Sequence, residues 1–369
     1  MKHAYILLTV MILAACTTPK NLSRADFVPV NDSVPPTEGV FYHLPVTVIE
    51  VEVTARKTIQ KRGPFYRYSQ RYLDLDDIIT EDQSYWEITD AEITTKGKPD
   101  PERLYRISAK GTPAGAAVNL TPDGTLKGLN LSRNKKAAQI PAEKRSGEKA
   151  PQDTAKSVED ISFDDVPFTE EQLIKTSSAA TAEEVADEIY NLRDSRRQLL
   201  ESDMSNLPPD DGAYKRILDN INKLEEQYLS LFKGKVETIT ETRTFSFIPD
   251  TSSPLNQVLF RFSAEKGFSE AIDMSGTPVY IDINDENLVP KNNTVPSNNG
   301  EERSGLVYCR PAKATVKVID RTVLLEEKDV LLGQFGSLHQ LPPELLDDGG
   351  TSVKLDPNTG AILEIETNQ

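Results

Sequence analysis

The apolar positions of this chain recur with two periods, and the change from one to the other marks out the expected elements. In FYHLPVTVIEVEVTARKTIQ, Val46, Val48, Glu50 and Glu52 alternate with Thr47, Ile49, Val51 and Val53, the period of two that a half-buried strand requires. SYWEITDAEITTKG and RLYRISAKG repeat that alternation. AAVNLTPDGTLKGLNL predicts a hairpin that turns at Pro122-Asp123-Gly124. Between the first two strands, GPFYRYSQRYLDLDD places Phe65, Tyr68, Tyr72 and Leu75 on one helical face, an aromatic stripe read as core packing. From residue 235 onward the period is two again, in KVETITETRTFSFIPD, NQVLFRFSAE, TPVYIDIND, GLVYCR, ATVKVIDRTVLLEE and TSVKLDPNTGAILEIE.

Helical spacing dominates in between. Thr181-Ala-Glu-Glu184 has the form of a capping box, and Val185, Ile189, Leu192, Arg196 and Leu199 follow it as a stripe. After SNLPPDDG a second helix carries Tyr214, Ile221 and Tyr228, interleaved with Ile217, Leu224 and Leu231, and ends with Gly234 as its C-cap. The two stripes, centred on Ile189/Leu192 and Ile221/Leu224, predict an antiparallel pair with a coiled-coil-like seam. Either its outer face, with Tyr214 and Tyr228, docks a partner, or the stripe packs on the β body. Residues 132–168 are poor in apolar side chains, first basic and then acidic, and read as a disordered linker. The expected fold class is therefore α+β. Two β-rich halves, mainly antiparallel, span 41–131 and 235–369, with the linker at 132–168 and an α-helical hairpin at 169–234 between them. VNLTPDGTLKGL and VKLDPNTGAILEI echo one another, as do LPVTVIEVEV and AKATVKVIDR, which points to a duplication.

The first forty residues carry an address. Lys2, the apolar run Tyr5 to Leu13 and then Leu13-Ala14-Ala15 follow the order of a secretory signal peptide over 1–15. Cys16 directly after Leu-Ala-Ala resembles the bacterial lipobox, in which the cysteine is lipidated after cleavage. Several acyl chains at about 0.8 kcal/mol per buried methylene would anchor the chain firmly. Thr17 stands where an aspartate would retain a lipoprotein in the inner membrane, so the outer membrane is expected, on its periplasmic face, with surface display as the alternative. Residues 16–40, polar and proline-rich, read as the lipidated cysteine and its tether.

Charge narrows the partners. Removing residues 1–15 takes Lys2 with it and leaves 41 basic against 58 acidic residues, a net −17. That balance disfavours nucleic acid and anionic lipid surfaces. With Cys16 lipidated, Cys309 has no intrachain disulfide partner, and the core must supply stability.

Catalytic signatures are absent from the sequence. Ser-x-x-Lys occurs at Ser263/Lys266, Ser132/Lys135, Ser146/Lys149 and Ser230/Lys233, four unrelated contexts with no accompanying Lys-Thr-Gly, which points to chance. There is no Gly-x-Ser-x-Gly, no His-Glu-x-x-His and no Gly-rich phosphate loop. The acidic stretches starting at Asp74 and Asp282 lack the glycine and glutamate of a calcium loop. His43, His339 and Cys309 could form a Cys–His pair or a metal site, but their spacing does not require one. No catalytic, cofactor or metal residue is assigned, and Cys309 reads as a small buried hydrophobe.

GPFYRYSQRYLDLDD, the strand containing Trp86, YLSLFKGK, GLVYCRPA, GQFGSLHQLP and LDPNTGAILEI resemble, as a series, a family of bacterial lipoproteins known as domain of unknown function 4831. The resemblance runs from Tyr42 to Ile365 and implies the envelope address without adding an activity. The function expected is a non-catalytic binding or scaffolding module of the cell envelope, held to the membrane by lipid on Cys16 and meeting a protein or glycan partner. The alternative is a hydrolase acting on envelope glycan or peptidoglycan through a carboxylate pair.

The anchor has a direct check. Cys16→Ser should move the chain from washed membranes to the soluble fraction, because no later segment approaches the ~18 continuous apolar residues of a membrane helix. A variant that still pellets would overturn the lipobox reading.

Overall fold

The computed structural model describes residues 26–29, 40–108, 118–130, 156–201, 211–250, 256–284, 305–342, 345 and 351–367. The expected signal peptide at 1–15, Cys16 and the basic stretch from residue 132 to 155 lie outside the described residues.

β2 (Val40–Lys61) is the axis of the first sheet. It pairs with β3 (Gln83–Ser108) on one side and β6 (Lys235–Phe247) on the other, and β1 (Asp26–Pro29) adds to the far end of β3. The second sheet runs β11-β10-β9-β7-β8, built from β7 (Asn256–Ser263), β8 (Gly267–Ser269), β9 (Thr277–Asn284), β10 (Leu306–Asp320) and β11 (Val323–Leu341). The third runs β13-β12-β5-β4, from β4 (Val118–Leu120), β5 (Leu126–Leu129), β12 (Thr351–Leu355) and β13 (Ile362–Thr367). All pairings within the sheets are antiparallel.

The alternation read from the sequence sets which faces meet. Ile49, Val51, Val53 and Ala55 of β2, with Ile93 of β3, turn to one side and are fully buried against Phe260, Ile281, Val316, Val318 and Leu332 of the second sheet. Phe245 of β6 stacks on Phe260 with centroids 4.3 Å apart. This is a sandwich of two sheets, each burying one face. The third sheet closes one end of it, where Leu126, Leu129, Val353 and Leu355 pack on Tyr42, Leu44, Val307 and Leu338.

The expected division into two β-rich halves with a helical hairpin between them is not the architecture formed. The chain is mostly β, with three antiparallel sheets and four α-helices among the described residues. Strands from both ends of the sequence share sheets: β6 pairs with β2, and β12 pairs with β5. Periodicity reports that a segment is a strand and which face is apolar. It carries nothing about which strand, some 190 residues away, completes the ladder. The expected tether is also shorter than read, since Asp26–Pro29 pairs with Tyr105–Ser108.

The two echoing hairpins, β4–β5 and β12–β13, lie side by side in the third sheet. Each sends a turn carbonyl to the start of a long strand: Gly124 O accepts from His43 N–H at 3.0 Å, and Gly360 O from Cys309 N–H at 2.9 Å. A register shift lies beside each of the nearby prolines, Pro45 and Pro311. His43 therefore matches Cys309 in position, and His339 does not share that position, lying instead opposite Tyr308.

The helices are α1 (Ser69–Leu73), α2 (Glu170–Leu173), α3 (Ser178–Glu201) and α4 (Asp211–Lys233). α3 starts one turn before the expected capping box: Ser177 Oγ accepts from Ala180 N–H, and Thr181 already lies within the helix. α3 and α4 lie against each other, but their contact is not the continuous apolar seam expected. Glu225, buried, accepts from Arg193 Nε at 2.7 Å and Arg196 Nη1 at 2.6 Å, and Ile217 is exposed. The pair does not stand free as a docking arm. Ile189, Tyr228, Leu231 and Phe232 pack with Phe65, Leu73 and Val166. Tyr228 Oη donates to Pro167 O at 2.5 Å and Tyr214 Oη to Leu199 O at 3.4 Å, so both tyrosines are held within the chain.

The later part of the expected linker is packed as well. Ile161 is buried with Ile59 of β2 and Ile239 of β6, and Lys61 Nζ donates to its carbonyl at 2.5 Å. Val158, Ile161, Phe163, Val166 and Phe168, spaced among polar residues, meet hydrophobic surface that the strand pattern alone left uncovered. Ile161→Ala should therefore cost about 2–5 kcal/mol. A thermal melt superimposable on the parent's would show that residues 156–168 do not pack in solution.

Candidate functional site

An open cleft lies where β2 ends. Lys61 closes the strand, and from Arg62 onward the chain has to pass the C-terminus of α4. A helix end leaves carbonyls without intrahelical partners. Here the connection after β2 supplies the donors: Phe65 N–H to Leu231 O at 2.9 Å, Ser69 Oγ to Phe232 O at 3.1 Å and Ile79 N–H to Lys233 O at 2.9 Å. Gly63 allows this approach, since a Cβ there would lie 2.1 Å from Leu231 O. Pinned in this way, Phe65 turns into the core while Tyr66, Arg67 and Tyr68 form a short 3₁₀ turn beside it.

The result is an open cleft of about 500 Å³ between the end of β2, this turn, Phe163 and Ser178 at the start of α3. Lys61, Arg62 and Arg67 line it, with Asp82 as the one carboxylate among the lining residues. Tyr66 holds the arginines in place. The Arg62 guanidinium carbon lies 5.3 Å from the Tyr66 ring centroid and that of Arg67 5.5 Å, a cation–π distance for both. Arg67 Nε also donates to Tyr66 Oη at 3.0 Å. That hydrogen bond, with the charges of Arg67 and Arg62, holds the Tyr66 phenol below its ordinary range. Arg62 is tied at its backbone, whose N–H donates to Asp82 Oδ1 at 2.8 Å, while its guanidinium stays 3.8 Å from that oxygen. Two forked cations are thus fixed on one aromatic ring, in a chain whose net charge is −16.

The residues weighed for chemistry from the sequence are not brought together. His43 Nδ1 lies 3.0 Å from Asp100 O, and His339 Nε2 lies 2.9 Å from Ser337 Oγ. Cys309 Sγ donates to Gly333 O at 3.1 Å. Among the described residues no group of three or more His, Cys, Asp or Glu could hold a metal ion. Ser263 Oγ accepts from Lys266 N–H in the turn between β7 and β8, and Ser230 Oγ donates to Gln227 O within α4, so each serves its own turn. The other two Ser-x-x-Lys sites lie outside the described residues.

The arginines of the cleft were passed over in the sequence because only the aromatic spacing was read there. The signal that marks them is an arginine beside each tyrosine in KRGPFYRYSQRY, within an acidic chain.

A family described as Domain of unknown function (DUF4831) matches residues 38–363. The chain belongs to this family. The matched span of the DUF4831 domain includes all three sheets apart from β1 and the last residues of β13, together with the whole cleft. No curated protein and no solved structure matches the chain.

Cys309 provides a check on the packing next to the third sheet. Burial pushes its thiol up from 9.0 to about 11. An unfolded chain would ionise first, so this group favours the fold below about pH 9, and the contribution is lost as pH rises from about 9 to 11. In a chain carrying Cys16→Ser, Cys309 should resist alkylation at about pH 8 while folded and react fully once denatured. Rapid labelling of the folded chain would contradict the buried placement.

Proposed function

We propose that the chain is a lipid-anchored, non-catalytic binding module of the bacterial cell envelope, held at the outer membrane by Cys16 on the periplasmic face, and that the cleft at the end of β2 is where it meets its ligand. The observation that carries this reading is the clamp of Arg62 and Arg67 on Tyr66, which presents two preoriented guanidinium forks in an open cleft. Arginine forks match carboxylate and phosphate oxygens in pairs, so the ligand is anionic. The lining offers hydrogen-bond donors and apolar surface to hold such a group, with both guanidiniums held against the Tyr66 ring. The Leu-Ala-Ala-Cys sequence supports the anchor, and membership of DUF4831 is compatible with the address.

A photoreactive residue in place of Tyr68 should crosslink an envelope component in intact cells. The same residue in place of Glu92, exposed on β3, should not. Combining Arg62→Glu and Arg67→Glu should remove the adduct formed from position 68. Equal adducts from both positions, or an adduct that survives charge reversal, would overturn the assignment of the cleft.

A further inference from the structure

The cleft is not built for a bare anion. An inorganic phosphate or sulfate would be served by cations and N–H groups alone, and a carboxylate within the site would repel it. Here Asp82 lines the same cleft as Lys61, Arg62 and Arg67, and it is the partner that orients Arg62. A carboxylate accepts hydrogen bonds from hydroxyl groups, and Ser178 adds a hydroxyl that both donates and accepts. The space is much larger than one tetrahedral anion fills, and it is open along one side. A ligand that meets all of these features carries an acidic group for the arginines and hydroxyls for Asp82 and Ser178, and continues beyond the cleft.

We infer that the cleft binds an acidic saccharide, a sugar ring bearing a carboxylate or a phosphate, as part of a longer glycan. This rests on the reading of the cleft as a binding site. The acidic group sits on the guanidiniums of Arg62 and Arg67, and the ring hydroxyls donate to Asp82. Tyr66 serves to position the two cations, each of which lies against its ring.

The test is a calorimetric or NMR titration of the chain carrying Cys16→Ser with glucuronate, glucose 6-phosphate, glucose and inorganic phosphate at low salt. Both acidic sugars should bind, with glucose and inorganic phosphate each about tenfold weaker or more. Arg67→Gln should weaken the acidic sugars by about tenfold, and Arg67→Lys, which restores charge without the fork, should recover only part of that loss. Asp82→Asn should weaken the sugars while leaving inorganic phosphate unchanged or tighter. Arg56→Gln, which removes an exposed pair with Glu87 elsewhere on β2, should change nothing. Melting curves of all variants establish that they fold. If inorganic phosphate binds as tightly as the acidic sugars and loses affinity in Arg67→Gln, the saccharide inference falls while the anionic cleft stands. If none of the four ligands binds, both fall.

Discussion

Three sheets of this molecule meet at one buried polar junction, and the register of the whole body depends on the hydrogen bonds made there. The turn after β12 enters the gap between β2, β3 and β11. Asn358 Oδ1 accepts from Gly97 N–H on β3 at 2.9 Å, and Asn358 O accepts from Thr47 Oγ1 on β2 at 2.9 Å. Thr47 Oγ1 in turn accepts from Gly333 N–H on β11 at 3.0 Å, and Gln334 bonds both the N–H and the carbonyl of Thr47. The backbone approach is close enough that a Cβ on Gly97 would lie 2.2 Å from Pro357 O. Arg103 completes the junction. Buried to 4 % exposure, its guanidinium reaches Asp100 Oδ2 at 2.6 Å, Pro45 O at 2.7 Å and Gly333 O at 3.4 Å. Each such neutral bond is worth about 1 kcal/mol net, whereas stripping a partner from a buried ion pair costs about 3–5 kcal/mol. The junction thus fixes where β2 lies against β11 more sharply than apolar contact, which tolerates a slide, could do.

Fixing β2 at one end has a consequence at the other. The strand is 22 residues long, a contour of about 70 Å at strand rise, and it carries ladder partners along nearly its whole length. Its first residues pair with the end of β3 whose other edge carries β1. Its last residue, Lys61, and Arg62 just beyond it line the cleft. From Ile49 to Gln60 the strand is paired on both edges, which limits its bending between the junction at Thr47 and the cleft. The helices contribute by satisfying the end of that element, since α4 offers the carbonyls on which Phe65, Ser69 and Ile79 are pinned.

What was legible in the sequence follows the range of the physics. Alternation from Val46 to Val53 located β2 and its buried face, and the proline turns at Pro122 and Pro357 located two hairpins, because these are decided by neighbours a few residues apart. Gly234 ends α4 with φ +92°, as its position after Lys233 indicated. The partition into halves failed because β6 and β12 find their partners far back in the chain, and no local pattern encodes that choice. The linker was misjudged for a related reason. Val158 and Ile161 stand isolated among polar residues, too little to register as a stripe, yet Ile59 and Ile239 present a patch that they cover. Tyr228 was read as outward-facing because helical spacing ranks faces relative to one partner helix, whereas here Pro167 supplies a second surface.

The acidic balance of the chain and the cationic cleft are consistent once distance is counted. A net charge of −16 is spread over the surface of a body several tens of ångströms across. At about 0.1 M salt the field of an exposed charge decays over roughly 10 Å, so remote carboxylates are largely screened from the cleft. The charges lining the cleft are two guanidiniums and the Lys61 ammonium, which already donates to Ile161 O, against Asp82. The distant charges still act at low salt, where they slow the approach of any polyanion and exclude extended contact with one. The combination favours a ligand whose acidic group is presented locally, at the end or side of a largely neutral chain, over a uniformly charged polymer such as a nucleic acid. On the proposed reading, net charge restricts the kind of anion without forbidding anions, and the two arginines on Tyr66 are where that restriction would act.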